Sequence, residues 1–98
     1  MKKAIFNLYV DYICSQTDIK RRELFRKDKH PRISTARFLL YTICKQRPMT
    51  VAQIIELMSD EGYKTSRSSV EYGIEKISNS NDIDINNVIQ NITEECTI

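Results

Sequence analysis

TVAQIIELMSDEGYKTSRSSVEYGIEKI, residues 50–77, is the stretch that decides the fold. Val51, Ile54, Ile55, Leu57 and Met58 recur at three- and four-residue steps, which predicts a helix over about 51–60 with one buried side. Thr50 precedes it as a cap, because its hydroxyl oxygen accepts from an amide of the first turn. Gly62 follows it where a residue with positive φ ends a helix, and Tyr63-Lys64-Thr65 makes the turn. Thr65 or Ser66 then caps a second helix, about 67–78, with Val70, Ile74 and Ile77 on its inner face. Ala52 is small where two helices would cross closely, Ile55 anchors the first helix, and Val70 and Ile74 anchor the second. Helix, turn and helix in this order have the layout of a helix-turn-helix. The second helix opens on Ser66, Arg67, Ser68 and Ser69, short donors and one long cation at the end that enters a major groove. The bland account of the same serines is capping in a plain helical hairpin.

Outward from this stretch the chain continues in helices. Residues 3–16 carry Ile5, Phe6, Tyr9 and Ile13, and less regularly Val10 and Leu8, on a broad apolar face. Thr17 or Asp18 caps a short helix over about 18–25. Residues 26–32 read as a basic loop, since Pro31 disfavours helix at His30. Ala36, Leu39, Leu40, Ile43 and Cys44 then predict a well-buried helix over about 33–46. A last helix, about 83–95, would carry Ile85, Val88, Ile89 and Ile92. The expectation is an all-α, compact bundle of five to six helices in a single domain, with its core over about 5–79. No β-hairpin pattern follows Ile77, which argues against a winged helix.

Composition supports this reading and removes others. The 98 residues suit one domain, and two Gly and two Pro are too few for a loop-rich or all-β chain. No apolar run approaches a membrane span, and Asp11 interrupts what would otherwise resemble a leader after Met1-Lys2-Lys3. Cys14, Cys44 and Cys96 are widely spaced and read as thiols of a reducing cytoplasm. With one histidine and no CxxC pair, no metal site is expected, and no cofactor. His30 has neither a nucleophile nor an orienting carboxylate pattern near it, so no catalytic residue and no enzyme activity are expected. The Met1 start and the last helix favour a small complete protein over an excised domain.

The net charge of +2 hides an asymmetry. Residues 1–47 carry twelve Lys/Arg against four Asp/Glu, and residues 48–98 carry three against nine. A basic half this concentrated suits a polyanion. Lys20, Arg21, Arg22, Arg26, Lys27, Lys29, Arg32 and Arg37 crowd into 20–37. Such side chains neutralise phosphates and release counterions. Arg37 differs from the others because it lies inside an apolar helix. There it either snorkels past core residues or reaches a phosphate or base edge.

A basic loop, an apolar helix starting near Ala36-Arg37, a short helix and a helix opening on Ser68-Ser69-Val70 together resemble the C-terminal DNA-binding domain of the bacterial replication initiator DnaA. The resemblance covers about residues 5–79. The family's signature reads Gly-Gly-Arg-Asp-His-Thr-Thr-Val. Thr65, Ser66, Arg67, Ser68, Ser69 and Val70 fall on its last six positions, and Lys76-Ile77 matches the end of the helix after it. Ser66 and Arg67 stand where the family has its base-reading Asp and His, and the turn before them is longer. The resemblance implies phosphate contacts from Lys27, Lys29, Arg32 and Arg37. It implies contacts to double-stranded DNA from Lys64, Thr65, Ser66, Arg67, Ser68 and Ser69. It fits a stand-alone replication or transcription regulator, bacterial or phage-encoded, and leaves monomer or dimer open. The alternative is a protein-interaction module that modulates the same machinery without touching DNA, with the acidic half and exposed Tyr63 and Tyr72 as its working surface.

Overall fold

The computed structural model describes residues 2–27, 30–47, 49–80, 86, 87 and 89–91. They form α1 (Lys2–Thr17), α2 (Arg21–Leu24), α3 (Pro31–Gln46), α4 (Val51–Asp60) and α5 (Arg67–Ser78). Residues 86, 87 and 89–91 are also helical, and Ile89 packs against the core. Among the described residues there is no strand. Of the expected last helix, Ile85, Val88 and Ile92 lie outside the described residues, as does Lys29.

α3 is the centre. It touches α1, α2, α4 and α5, and its contact with α5 is the most extensive among these five helices. Ile33, Ala36, Leu39, Leu40, Tyr41, Ile43 and Cys44 are all buried, so the helix is covered nearly all round, as its dense apolar pattern requires. α1 lays Ile5, Phe6, Tyr9, Val10 and Ile13 against it and leaves Leu8 outside. Met49, just after α3, is also part of the core. The sequence periodicity passes over Met49 because it belongs to no helix.

The ends of the elements explain where expectation and structure part. The expected cap of α2, Thr17 or Asp18, is not used. Asp18 instead adopts positive φ (55°) after α1, and the Ile19 amide donates back to the Cys14 carbonyl at 3.2 Å. This is the closing hydrogen bond of a helix C-terminus, and Asp tolerates the left-handed region better than most residues. α2 begins later, where Glu23 reaches back and its carboxylate accepts from the Lys20 amide at 3.0 Å. α3 begins earlier than expected. Pro31 occupies the first helical position, where no amide is needed, and the His30 Nδ1 accepts from the Arg32 amide at 3.3 Å. The proline that ends the basic loop thus starts the helix.

α4 and α5 keep their expected limits. Thr50 and Gln53 form a reciprocal cap: each side chain accepts from the other's amide, at 3.1 and 2.9 Å. Gly62 takes φ of +84° and the Tyr63 amide donates to the Met58 carbonyl at 3.0 Å, which closes α4. Ala52, expected at a close helix crossing, is exposed. The close approach is made elsewhere, by Gly73 of α5 against α3. A Cβ at Gly73 would lie 2.5 Å from Phe38 Cδ1 and 3.1 Å from Tyr41 Cδ2. Ile54 rather than Ile55 is the fully buried anchor of α4, with Ile55 and Ile74 only partly covered.

Candidate functional site

The site is assembled around the start of α5. Ser66 is the N-cap, and its Oγ accepts from the Ser69 amide at 3.2 Å while lying 3.1 Å from the Ser69 hydroxyl. Capping by this serine therefore holds as chemistry, whatever else the residue does. The cap serves the third amide, and the amides of Arg67 and Ser68 have no acceptor within the helix. Ser66, Arg67, Ser68 and Ser69 are all exposed, and so is Lys64 in the preceding turn. The Arg67 side chain, 74% exposed, donates from Nε to the Glu71 carboxylate at 2.9 Å. A solvent-exposed i,i+4 pair of this kind is worth only about 0.3–0.5 kcal/mol. It yields readily to a better anion.

Tyr63 ties this turn to the basic loop. Its ring centroid lies 4.5 Å from the Arg37 guanidinium carbon and 5.9 Å from the Lys27 ammonium. Arg37 is the surprise among the expected contacts. It is only 5% exposed. Its Nε donates to the Leu24 carbonyl at 3.0 Å, Nη2 to the Arg26 carbonyl at 3.0 Å and Nη1 to the Tyr63 hydroxyl at 3.1 Å. The planar guanidinium fork fits these three acceptors and stitches α3 to the end of α2 and to the α4–α5 turn. Neither reading of Arg37 describes it: the guanidinium does not snorkel to water and is packed inward, with its donors directed to the protein's own acceptors.

The basic stretch divides. Lys27 joins the α5 site through Tyr63. Arg32 does not: its Nη2 donates to the carbonyls of Thr17 and Asp18, the latter at 3.0 Å, and so serves the orphan carbonyls at the end of α1. It lines a separate hollow with His30, Asp18 and Glu23. Arg21 is engaged as well, with Asp11 at 3.4 Å, Asn7 at 2.7 Å and Glu61, and its guanidinium lies 5.6 Å from the Phe25 ring. Consecutive cations thus work at different places, because a short helix and two turns point them apart.

Beside the start of α5 lies a groove of about 330 Å³. Phe38 and Tyr41 of α3, Tyr63 of the turn and Tyr72 of α5 supply aromatic walls. Thr65, Ser68 and Ser69 supply hydroxyls, and among the described residues Arg37 is the only charge in the lining and no carboxylate lines it. Tyr72 is 58% exposed and meets Phe38 edge to face, with centroids 5.9 Å apart. Thr65 hydrogen-bonds Tyr41, whose phenol is nevertheless pushed up to about 12, chiefly by burial. Sequence reading noticed Tyr63 and Tyr72 but not Phe38, Tyr41 or the groove. The available signal was Gly73, a glycine inside a helix, which marks close approach of another element. Among the described residues no group of three or more His, Cys, Asp or Glu could hold a metal ion, and no helix is long and apolar enough to cross a membrane.

Comparison of the chain with protein-family models, with curated proteins and with solved structures finds no match.

Proposed function

We propose that the chain binds double-stranded DNA, with α4, the turn and α5 acting as a helix-turn-helix and α5 as the recognition helix. The observation that carries this reading is the exposed start of α5: Arg67, Ser68 and Ser69 stand together at a helix N-terminus, flanked by Lys64 and Lys27. Lys27 and Lys64 neutralise phosphates and set the register of the protein on the duplex. Arg67 exchanges its weak pairing with Glu71 for a base edge, where a guanidinium matches the two acceptors of guanine. Ser68 and Ser69 add short donors, and the N-terminal amides of α5 favour a neighbouring phosphate. Arg37 acts as a positioning residue that holds Tyr63 and the end of α2 in place. The resemblance to the DnaA C-terminal domain makes an initiator-like or regulator-like role in a cytoplasm the natural setting.

The test is the salt dependence of binding to random duplex DNA, followed by selection of preferred sites, for the wild type and Arg67→Ala. The wild type should bind at low salt and lose affinity steeply as salt rises, by about 0.9 in the log–log slope per phosphate contact. Arg67→Ala should keep most of that slope and lose about tenfold or more on the preferred site, in line with the worth of one good base contact. Absence of duplex binding at low salt would overturn the proposal. It would leave the alternative, a protein-interaction module whose surface is centred on the exposed Tyr72.

A further inference from the structure

The groove beside α5 has a composition that duplex recognition alone does not use. Its walls are aromatic, its hydroxyls come from Thr65, Ser68 and Ser69, and among the described residues it holds one cation and no carboxylate. A second cation, Lys27, lies over the Tyr63 ring that forms one wall. Tyr72 stands at 58% exposure with its edge contact to Phe38 already made, so the ring is held in orientation while much of its surface remains in water. An exposed ring that is fixed in place costs little entropy when something flat stacks on it. The volume, about 330 Å³, is at the small end of ligand sites and admits one planar group rather than a peptide segment.

We infer that this groove seats a single unpaired nucleobase of a DNA strand, stacked on Tyr72, with the neighbouring phosphates taken by Lys27 and Lys64. The inference rests on the reading of α5 as the DNA-contacting element, and it adds a preference that reading lacks: for DNA in which one base has left the stack. Aromatic side chains bind bases of any identity because every base offers a π-face, and flanking cations supply the strand's electrostatics. The Ser68 and Ser69 hydroxyls and the Thr65 side chain are placed to meet the edge of the base. The cations beside the groove, and the lack of an acid among its described lining residues, fit an anionic strand.

The experiment compares two oligomers of about 12 nucleotides, oligothymidylate and an abasic strand with the same phosphates, by fluorescence anisotropy against the full chain. A stable, fully paired duplex is the third probe. The wild type should prefer oligothymidylate to the abasic strand by about tenfold, the scale of one stacked base. Tyr72→Ala should erase that preference, Tyr72→Phe should keep it, and neither should change duplex affinity. Because Tyr72 is exposed, unchanged thermal melting of both variants checks that the fold is intact. Equal binding of the two oligomers by the wild type would overturn the inference while leaving the duplex reading in place. So would a preference that survives Tyr72→Ala, or displacement by thymidine monophosphate at matched concentration, which would mark a free-nucleotide pocket. Failure of all three probes to bind would overturn the DNA reading and this inference with it.

Discussion

Arg37 shows how much one residue's environment decides its role. In the sequence it is an arginine inside an apolar helix, read as snorkelling past core residues or reaching a phosphate or base edge. In the fold it donates to two main-chain carbonyls and one phenol while 5% exposed. Hydrogen bonds from a charged donor contribute about 1.5–3 kcal/mol each, and the acceptors left behind pay a desolvation cost when the donor is removed. Arg37→Met should therefore destabilise the protein by about 3 kcal/mol or more, read as a lower urea midpoint at an unchanged slope. Arg37→Lys should recover little, since a single ammonium cannot span three acceptors arranged for a fork. A phosphate-binding arginine would behave in the opposite way: little change in stability, and a charge-dependent loss of DNA affinity that lysine restores. His30 and Arg32 carry the same lesson, because each serves a helix end in the structure whatever it touches in a complex.

At the scale of elements, the packing of α5 on α3 sets both the core and the groove. Gly73 has no Cβ, and the space such an atom would fill is occupied by the Phe38 ring, 2.5 Å away. Two effects of Gly73→Ala compete. Alanine favours the helix by up to about 1 kcal/mol. Overpacking against an aromatic ring costs about 1–3 kcal/mol. The contact is with a ring atom that also packs against Tyr41 and Tyr72, so the ring has no easy retreat, and overpacking wins. Gly73→Ala should lower stability by about 1–2 kcal/mol in denaturant unfolding. By shifting Phe38 it should also weaken the preference for oligothymidylate over an abasic strand. The caps at Thr50 and Ser66 and the positive φ at Gly62 hold the two helices at their sequence-expected limits, which is why the turn carrying Tyr63, Lys64 and Thr65 is well defined.

Across the whole molecule, two buried titrating groups, Tyr41 and Cys44, make the fold sensitive to alkali. Burial pushes Tyr41 up from 10.0 to about 12 and Cys44 up from 9.0 to about 12. Both folded values exceed the unfolded ones, so the native state holds its protons more tightly and the stability linked to them is lost as pH rises. Unfolding free energy should begin to fall near pH 9, through Cys44, and fall faster from pH 10 to 12 as Tyr41 joins. At 1.36 kcal/mol per unit the Tyr41 contribution is about 3 kcal/mol and that of Cys44 about 4 kcal/mol. Denaturant unfolding across pH 8–12 checks this: Tyr41→Phe should lessen the decline from pH 10 to 12, and Cys44→Ala should lessen it throughout pH 9 to 12 and abolish its onset near pH 9. The sequence by itself determined the helical class, the limits of α4 and α5, their caps and most of the core, because each depends on local periodicity or on a side chain reaching an amide a few residues away. It also placed Ser66, Arg67, Ser68 and Ser69 together at a helix start, since neighbours in one turn stay neighbours in space. Only the tertiary structure decided that Asp18 ends α1, that Arg37 turns inward, that Arg32 is diverted to the end of α1 and that Gly73 lets Phe38, Tyr41 and Tyr72 line one groove. These outcomes depend on which carbonyls and rings arrive from distant parts of the chain, and no local pattern records the direction from which they come.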